Sequence, residues 1–141
     1  MNDDEFWKLI SLIDMNLVNQ EDDFSGVEPL TEALAERSAN DIKLFSESLA
    51  QKLYALDSKE RLDVSCGSDD GFLYQRCYLV ASGQVSYKEA ISESKHICDE
   101  LEWCEALLYV AAEAWDVNQT DEWDFEPSVS FETGSNQALH N

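Results

Sequence analysis

Beyond Ile97 this sequence has no lysine or arginine, while the same stretch carries 11 aspartates and glutamates. Over the whole 141 residues, 9 basic side chains face 30 acidic ones, for a net charge of -21. A field of that sign repels phosphate, so nucleic acid and anionic membrane are excluded as direct partners. Histidine is equally scarce: His96 and His140 are the only two. A Ser/His or Cys/His mechanism would therefore rest on one imidazole of the folded part with no orienting neighbour. The four cysteines, at 66, 77, 98 and 104, include no C-x-x-C pair. That spacing excludes a zinc knuckle and a thioredoxin-type site, and leaves buried free thiols. The longest apolar run, residues 106–112, is far short of the roughly 20 residues that cross a bilayer. The opening MNDDEF is acidic where a secretion signal is basic, so a cytoplasmic location is expected. A phosphate loop, a dinucleotide fingerprint, H-E-x-x-H and an EF-hand loop are all missing. Neither a metal nor a cofactor is expected, and no enzyme is indicated.

What the sequence does have is helical periodicity. Residues 65–83, SCGSDDGFLYQRCYLVASG, form the centre of the pattern. Ser68 is the expected N-cap, Asp69 and Asp70 suit the positive end of a helix, and Gly83 is a natural stop. Phe72, Leu73, Cys77, Leu79, Val80 and Ala81 spread over more than half the helical wheel, with Gln75 and Ser82 on the expected solvent side. Arg76 falls inside the apolar arc, where a guanidinium needs a carboxylate or carbonyls.

A first helix is expected over residues 3–19, with Phe6, Ile10, Ile13 and Leu17 on one face and Trp7 at the core edge. NQEDDFSG (19–26) reads as a loop, and Pro29 opens a short helix to about Arg37. Asn40 is the expected cap of a third helix carrying the clean stripe Ile42, Phe45, Leu49, Leu53 and Leu56. Residues 57–66 form a polar connection with room for one turn of helix. Ser86 is the expected cap of a helix from Tyr87 to about Lys95 with Ala90 and Ile91 inward, and a break follows near Cys98 and Asp99. A last long helix to about Val117 then buries Leu101, Cys104, Leu108, Ala111, Ala112 and Trp115. Alternation around 128–131 is too short for a strand. The expected fold is all-α: a compact bundle of five to six helices around a buried helix at about 68–82, with no significant sheet. Residues 1–117 make one helical domain, and 118–141 an acidic, partly disordered tail.

Three stretches carry a resemblance: DEFWKLI near the start, CGSDDGFLYQRCYLVASG followed by YKEAI, and CEALLYVAAEAW. Together they resemble the bacterial domain-of-unknown-function family 4240 over roughly residues 3–117. Ser68, Asp69, Asp70, Gly71, Phe72, Arg76, Leu79 and Gly83 match its middle motif. The chain departs from the pattern at Gln75, where an aromatic is frequent, and at Tyr78, where tryptophan is usual. The resemblance implies an all-helical fold and no established reaction.

Two groups of side chains are candidates for function. Asp69, Asp70 and Arg76 would form a polar pocket in which Arg76 orients an anion and an aspartate takes a proton or a metal; a capped helix with a buried Arg–carboxylate pair explains them without a ligand and is the favoured reading. The second group is the outer face of the last helix, Glu102, Glu105, Tyr109, Glu113 and Asp116, continued by Asp121, Glu122, Trp123 and Asp124. The Asp121, Glu122, Asp124 and Glu126 run lacks the glycine and the spacing of a calcium loop and reads as solvated charge. Carboxylates give long-range attraction and aromatics give contact area, a combination suited to a basic protein. The leading expectation is a non-enzymatic binder of immunity-protein or antitoxin type, whose partner is a basic, nuclease-like toxin or effector. Imitation of DNA by carboxylates, and an enzyme or small-ligand binder built on Asp69, Asp70 and Arg76, are the alternatives. The oligomeric state is not readable from these residues.

Overall fold

Short oxygen-bearing side chains decide where most of the helices begin. The computed structural model describes residues 1–65, 68–93, 97 and 102–141. Asn2 Oδ1 accepts the Glu5 N–H at 2.9 Å and opens α1 (Asp3–Ile10). Asp14 caps α2 (Met15–Asn19) and Asp22 caps α3 (Asp23–Gly26). In α4 (Glu28–Ala35), Pro29 sits in the first turn, where its missing N–H costs nothing. Ser38 opens α5 (Ala39–Ala55) by accepting the Asp41 N–H, and Ser58 opens α6 (Lys59–Val64). Ser68 Oγ accepts the Gly71 N–H at 2.9 Å and starts α7 (Asp69–Ala81). Gly83, at φ +105°, turns the chain directly into α8 (Gln84–Ser92). A 3-10 segment, Glu105–Tyr109, leads into α9 (Val110–Asn118). There is no strand among the described residues, and none of their helices is long and apolar enough to cross a membrane.

The fold is all-α around α7, whose Phe72, Leu73, Arg76, Cys77, Leu79, Val80 and Ala81 are all buried. Helices α5 and α8 and the 3-10 segment pack against it, while α4 and α9 lie side by side on the far side of α5. The stripe Ile42, Phe45, Leu49, Leu53 and Leu56 is buried throughout, and Trp7 packs against Phe6 and Tyr87 at the edge.

Several local expectations are corrected. The helix expected over 3–19 breaks, because Asp14 offers its carboxylate to the Asn16 N–H and restarts the chain as α2. The cap of α5 is Ser38 rather than Asn40, and α8 begins two residues before Ser86. The polar connection 57–66 contains α6. Its Arg61 donates to the carbonyls of Ala90, Ile91 and Glu93, giving the C-terminal end of α8 the positive charge its dipole favours. Ile91 is 40% exposed. Gln75, expected on the solvent side, is buried, and the partly open side of α7 is that of Tyr74 and Tyr78. The expected end of α8 at Lys95, the break near Cys98 and Asp99, and the burial of Leu101 lie outside the described residues, as do Cys66 and His96. The last helix begins as the 3-10 turn, since its first residues are held from two sides: Cys104 N–H donates to Tyr74 O and Ala106 N–H to Asp23 Oδ2.

The largest departure concerns residues 119–141. They form a largely extended strap over the helical body, in which Trp123, Phe125, Pro127, Val129, Phe131 and Thr133 are each less exposed than the residues on either side. Period two is that of extended chain, so the alternation around 128–131 marks a strap without a partner strand. Ser128 N–H donates to Glu47 Oε1 at 2.8 Å, Thr133 contacts α7, and the stretch near the terminus closes on Asp57.

Candidate functional site

Arg76 shows how the polar pocket expected from Asp69, Asp70 and Arg76 is resolved. Its guanidinium is fully buried, donates to Leu53 O at 2.9 Å and to Thr133 Oγ1 at 3.1 Å, and lies 4.6 Å from the Phe72 ring centre. Thr133 in turn donates its hydroxyl to the Asp69 backbone carbonyl at 2.8 Å. Asp69 and Asp70 point to solvent, and the link from Asp69 to Arg76 runs through Thr133 and the main chain. The carboxylate whose charge acts on Arg76 most strongly is Asp57, which is itself 0% exposed. Burial lowers the Arg76 pKa, and Asp57, Cys77 and Glu132 oppose that. Asp57 accepts from Gly134 N–H, Asn136 N–H and His140 Nε2, so it ties the strap to the body beside Arg76. Thr133 and His140 lie so far in sequence from Leu53 and Asp57 that helical spacing could not have joined them. The arrangement holds two opposite charges inside the protein and satisfies the carboxylate with three donors.

The outer acidic face divides into two ends. Glu105, Glu113, Asp116, Asp121, Glu122 and Asp124 take part in no ion pair among the described residues. Glu113 and Asp116 lie on the exposed stripe of α9, next to α4, whose Glu28, Glu32 and Glu36 also face solvent at helical spacing. Past α9 the chain folds back, with Trp115 Nε1 donating to Asp121 O at 2.8 Å. Lys43 Nζ sits 5.3 Å from the Trp115 ring centre, so the Asp121 end has a cation of the same chain nearby. Trp123 was the aromatic expected to meet a partner. It packs edge-on against Trp115 at 5.3 Å and against Phe125 at 5.8 Å, sealing the strap.

The exposed aromatics are at the other end, and sequence periodicity points to only one of them. Phe24 is 51% exposed, Trp103 41% and Tyr109 42%. Phe24 stacks on Tyr109 with ring centres 6.1 Å apart and planes 15° apart, and Trp103 meets Tyr74 at 5.5 Å. The Glu105 charge acts on a tyrosine of each pair. Glu105 Oε2 accepts the Tyr109 hydroxyl at 3.3 Å. The Glu105 charge raises the Tyr109 pKa, and it adds to burial in raising that of Tyr74. The two bonds that hold the 3-10 turn explain the grouping. Asp23 brings its neighbour Phe24, Tyr74 receives the Cys104 N–H and so brings Trp103, and the turn itself carries Glu105 and Tyr109. Glu102 lies at the same end, half-buried.

No curated protein and no solved structure shows detectable similarity to the chain. The family model described as a protein of unknown function (DUF4240) matches residues 1–117, the helical body without the strap. With more than half of its length matched, the chain belongs to that family.

Proposed function

We propose that this chain is a cytoplasmic, non-enzymatic binding protein that neutralises a basic protein partner, as immunity proteins and antitoxins do with nuclease-like effectors. The observation that supports the reading is the row of carboxylates from Glu105 through Glu113 and Asp116 to Asp124, which no described cation of the chain pairs with, alongside the solvent-facing Glu28, Glu32 and Glu36 of α4. Unpaired charge of one sign destabilises the compact state by self-repulsion and is relieved by a surface of opposite sign. Such a surface speeds association and rejects wrong partners more than it adds affinity. A partner encoded beside such an inhibitor is the natural first choice for the test. Association of the chain with a basic protein encoded next to it is measured at low and high salt. Reversal of Glu113 and Asp116 to lysine should weaken binding about tenfold or more and flatten its salt dependence. Binding that is indifferent to salt and to both reversals rejects the reading.

A further inference from the structure

The structure points to the chemistry that this surface recognises: we propose that Phe24, Tyr74, Trp103 and Tyr109, arranged around Glu105, form a seat for an arginine side chain of a basic protein partner. The inference rests on the reading of the chain as an acidic binder and narrows it to one place and one kind of side chain.

Glu105 opens the 3-10 segment, and it pairs with no cation among the described residues. Tyr109 donates to its Oε2 and fixes the group without neutralising it. Phe24, Trp103 and Tyr109 expose two-fifths to one-half of their surface, and that much aromatic area in water is an unused contact surface. Their positions are held by backbone bonds, through Cys104 N–H to Tyr74 O at 3.1 Å and Ala106 N–H to Asp23 Oδ2 at 2.9 Å, so the site is formed before a partner arrives. A preformed site saves the ordering of side chains on binding.

The chemistry selects among cations. A guanidinium is flat, is weakly hydrated, stacks on aromatic faces and donates through a planar fork to a carboxylate. An ammonium is a compact, strongly hydrated point charge, and gains less from ring faces standing beside one carboxylate. Tyr109, stacked on Phe24, holds the Glu105 carboxylate through its hydroxyl, and Tyr74, tilted against Trp103, lies within range of the same charge. The partner segment that fits is a loop or helix end presenting arginine, with further basic residues running toward Glu113 and Asp116.

The test uses the full chain and two capped peptides, one of eight arginines and one of eight lysines, followed by Trp103 fluorescence, with Trp103→Phe as the optical control. The arginine peptide should bind about fivefold or more tightly than the lysine peptide, with an emission change lost in Trp103→Phe. Glu105→Gln keeps an oxygen for the Tyr109 hydroxyl, so the fold should melt as before while arginine-peptide affinity falls about tenfold. Phe24→Ala, at a side chain mostly in solvent, should weaken it about threefold. Glu122→Gln, at the other end, should change it less than about twofold. If both peptides bind equally and neither Glu105→Gln nor Phe24→Ala matters, the seat is rejected and the acidic-binder reading stands. If neither peptide binds at low salt, both are rejected.

Discussion

His140 Nε2 lies 2.7 Å from Asp57 Oδ1, so the second residue from the C-terminus closes on a carboxylate 83 positions earlier in the chain. The contact requires the hydrogen on Nε2, since Asp57 can only accept. Asp57 is 0% exposed and also receives the Gly134 and Asn136 N–H groups at 3.1 and 3.0 Å. Asp57→Ala would leave two backbone donors unpaired and remove the carboxylate whose charge acts most strongly on buried Arg76. A loss of about 3–5 kcal/mol is expected from urea unfolding. His140→Ala removes one of three donors at a side chain that is 16% exposed, and should lose only about 1 kcal/mol. The reverse order of the two variants would contradict the network as described.

What was legible in the sequence was local. Ser68 caps α7 as its spacing to Gly71 requires, and the stripe from Ile42 to Leu56 is buried because each member follows the helical period. Gln75 was misread for a tertiary reason: a wheel assigns a solvent side by polarity, and here neighbouring elements cover that side as well. The strap was missed because helical periodicity was the measure applied to a stretch whose period is two. Of the aromatic end of the surface, Glu105 and Tyr109 were visible as an i, i+4 pair, while Phe24 and Trp103 are brought there by Asp23 and Cys104 through long-range bonds. Function was less legible than fold, because charge count gives the sign of a partner and no more.

The strap has a pH-sensitive attachment at Glu47. The Ser128 N–H, then the Gln51 amide, lower its pKa from the ordinary 4.5. A carboxylate with a depressed folded-state pKa contributes stability that is present above 4.5 and is lost as pH falls through the lowered value. The melting temperature of the native chain should therefore exceed that of Glu47→Gln at neutral pH. The gap should close as the pH drops well below 4.5, and a gap that stays constant through that range would show that the Ser128 contact does not hold the strap.

Gly26 marks the tightest approach between α2 and α3. A Cβ built there would come within 2.7 Å of Val18 Cγ2 and 3.0 Å of the Asp14 carbonyl oxygen. That carbonyl belongs to the chain turn that Asp14 N–H also makes with Gly26 O at 2.9 Å, so it cannot retreat without opening the bond. Overpacking of this kind costs about 1–3 kcal/mol, and Gly26→Ala should lower the urea midpoint accordingly. The same substitution should disturb the α3 end, and with it the Asp23 hold on the 3-10 turn. A variant as stable as the parent would mean that α2 and α3 are less closely joined than their geometry indicates.

The interior thiols and phenol set the alkaline limit of the fold. Burial raises the pKa of Cys104 from 9.0 to about 12 and of Tyr87 from 10.0 to about 12, and raises Cys77 well above 9.0. Asp23 adds to the Cys104 effect. In the unfolded chain these groups ionise first, so between pH 9 and about 12 the native state holds protons that the unfolded state has released. Their contribution to stability is then constant below pH 9 and falls above it, by about 1.4 kcal/mol for each pH unit and each group in that condition. Cys66 and Cys98 are replaced by serine so that only the two buried thiols remain. In that variant neither thiol should react with a disulfide reagent at pH 8, and both should react once urea unfolds the chain. Urea midpoints taken from pH 8 upward should begin to fall near pH 9, and replacing Cys104 with alanine should make that fall shallower while Cys77 keeps its onset. Reaction of either thiol in the native state at pH 8 would show that α7 and the 3-10 turn separate in solution, and with them the platform on which Glu105 and Tyr109 stand.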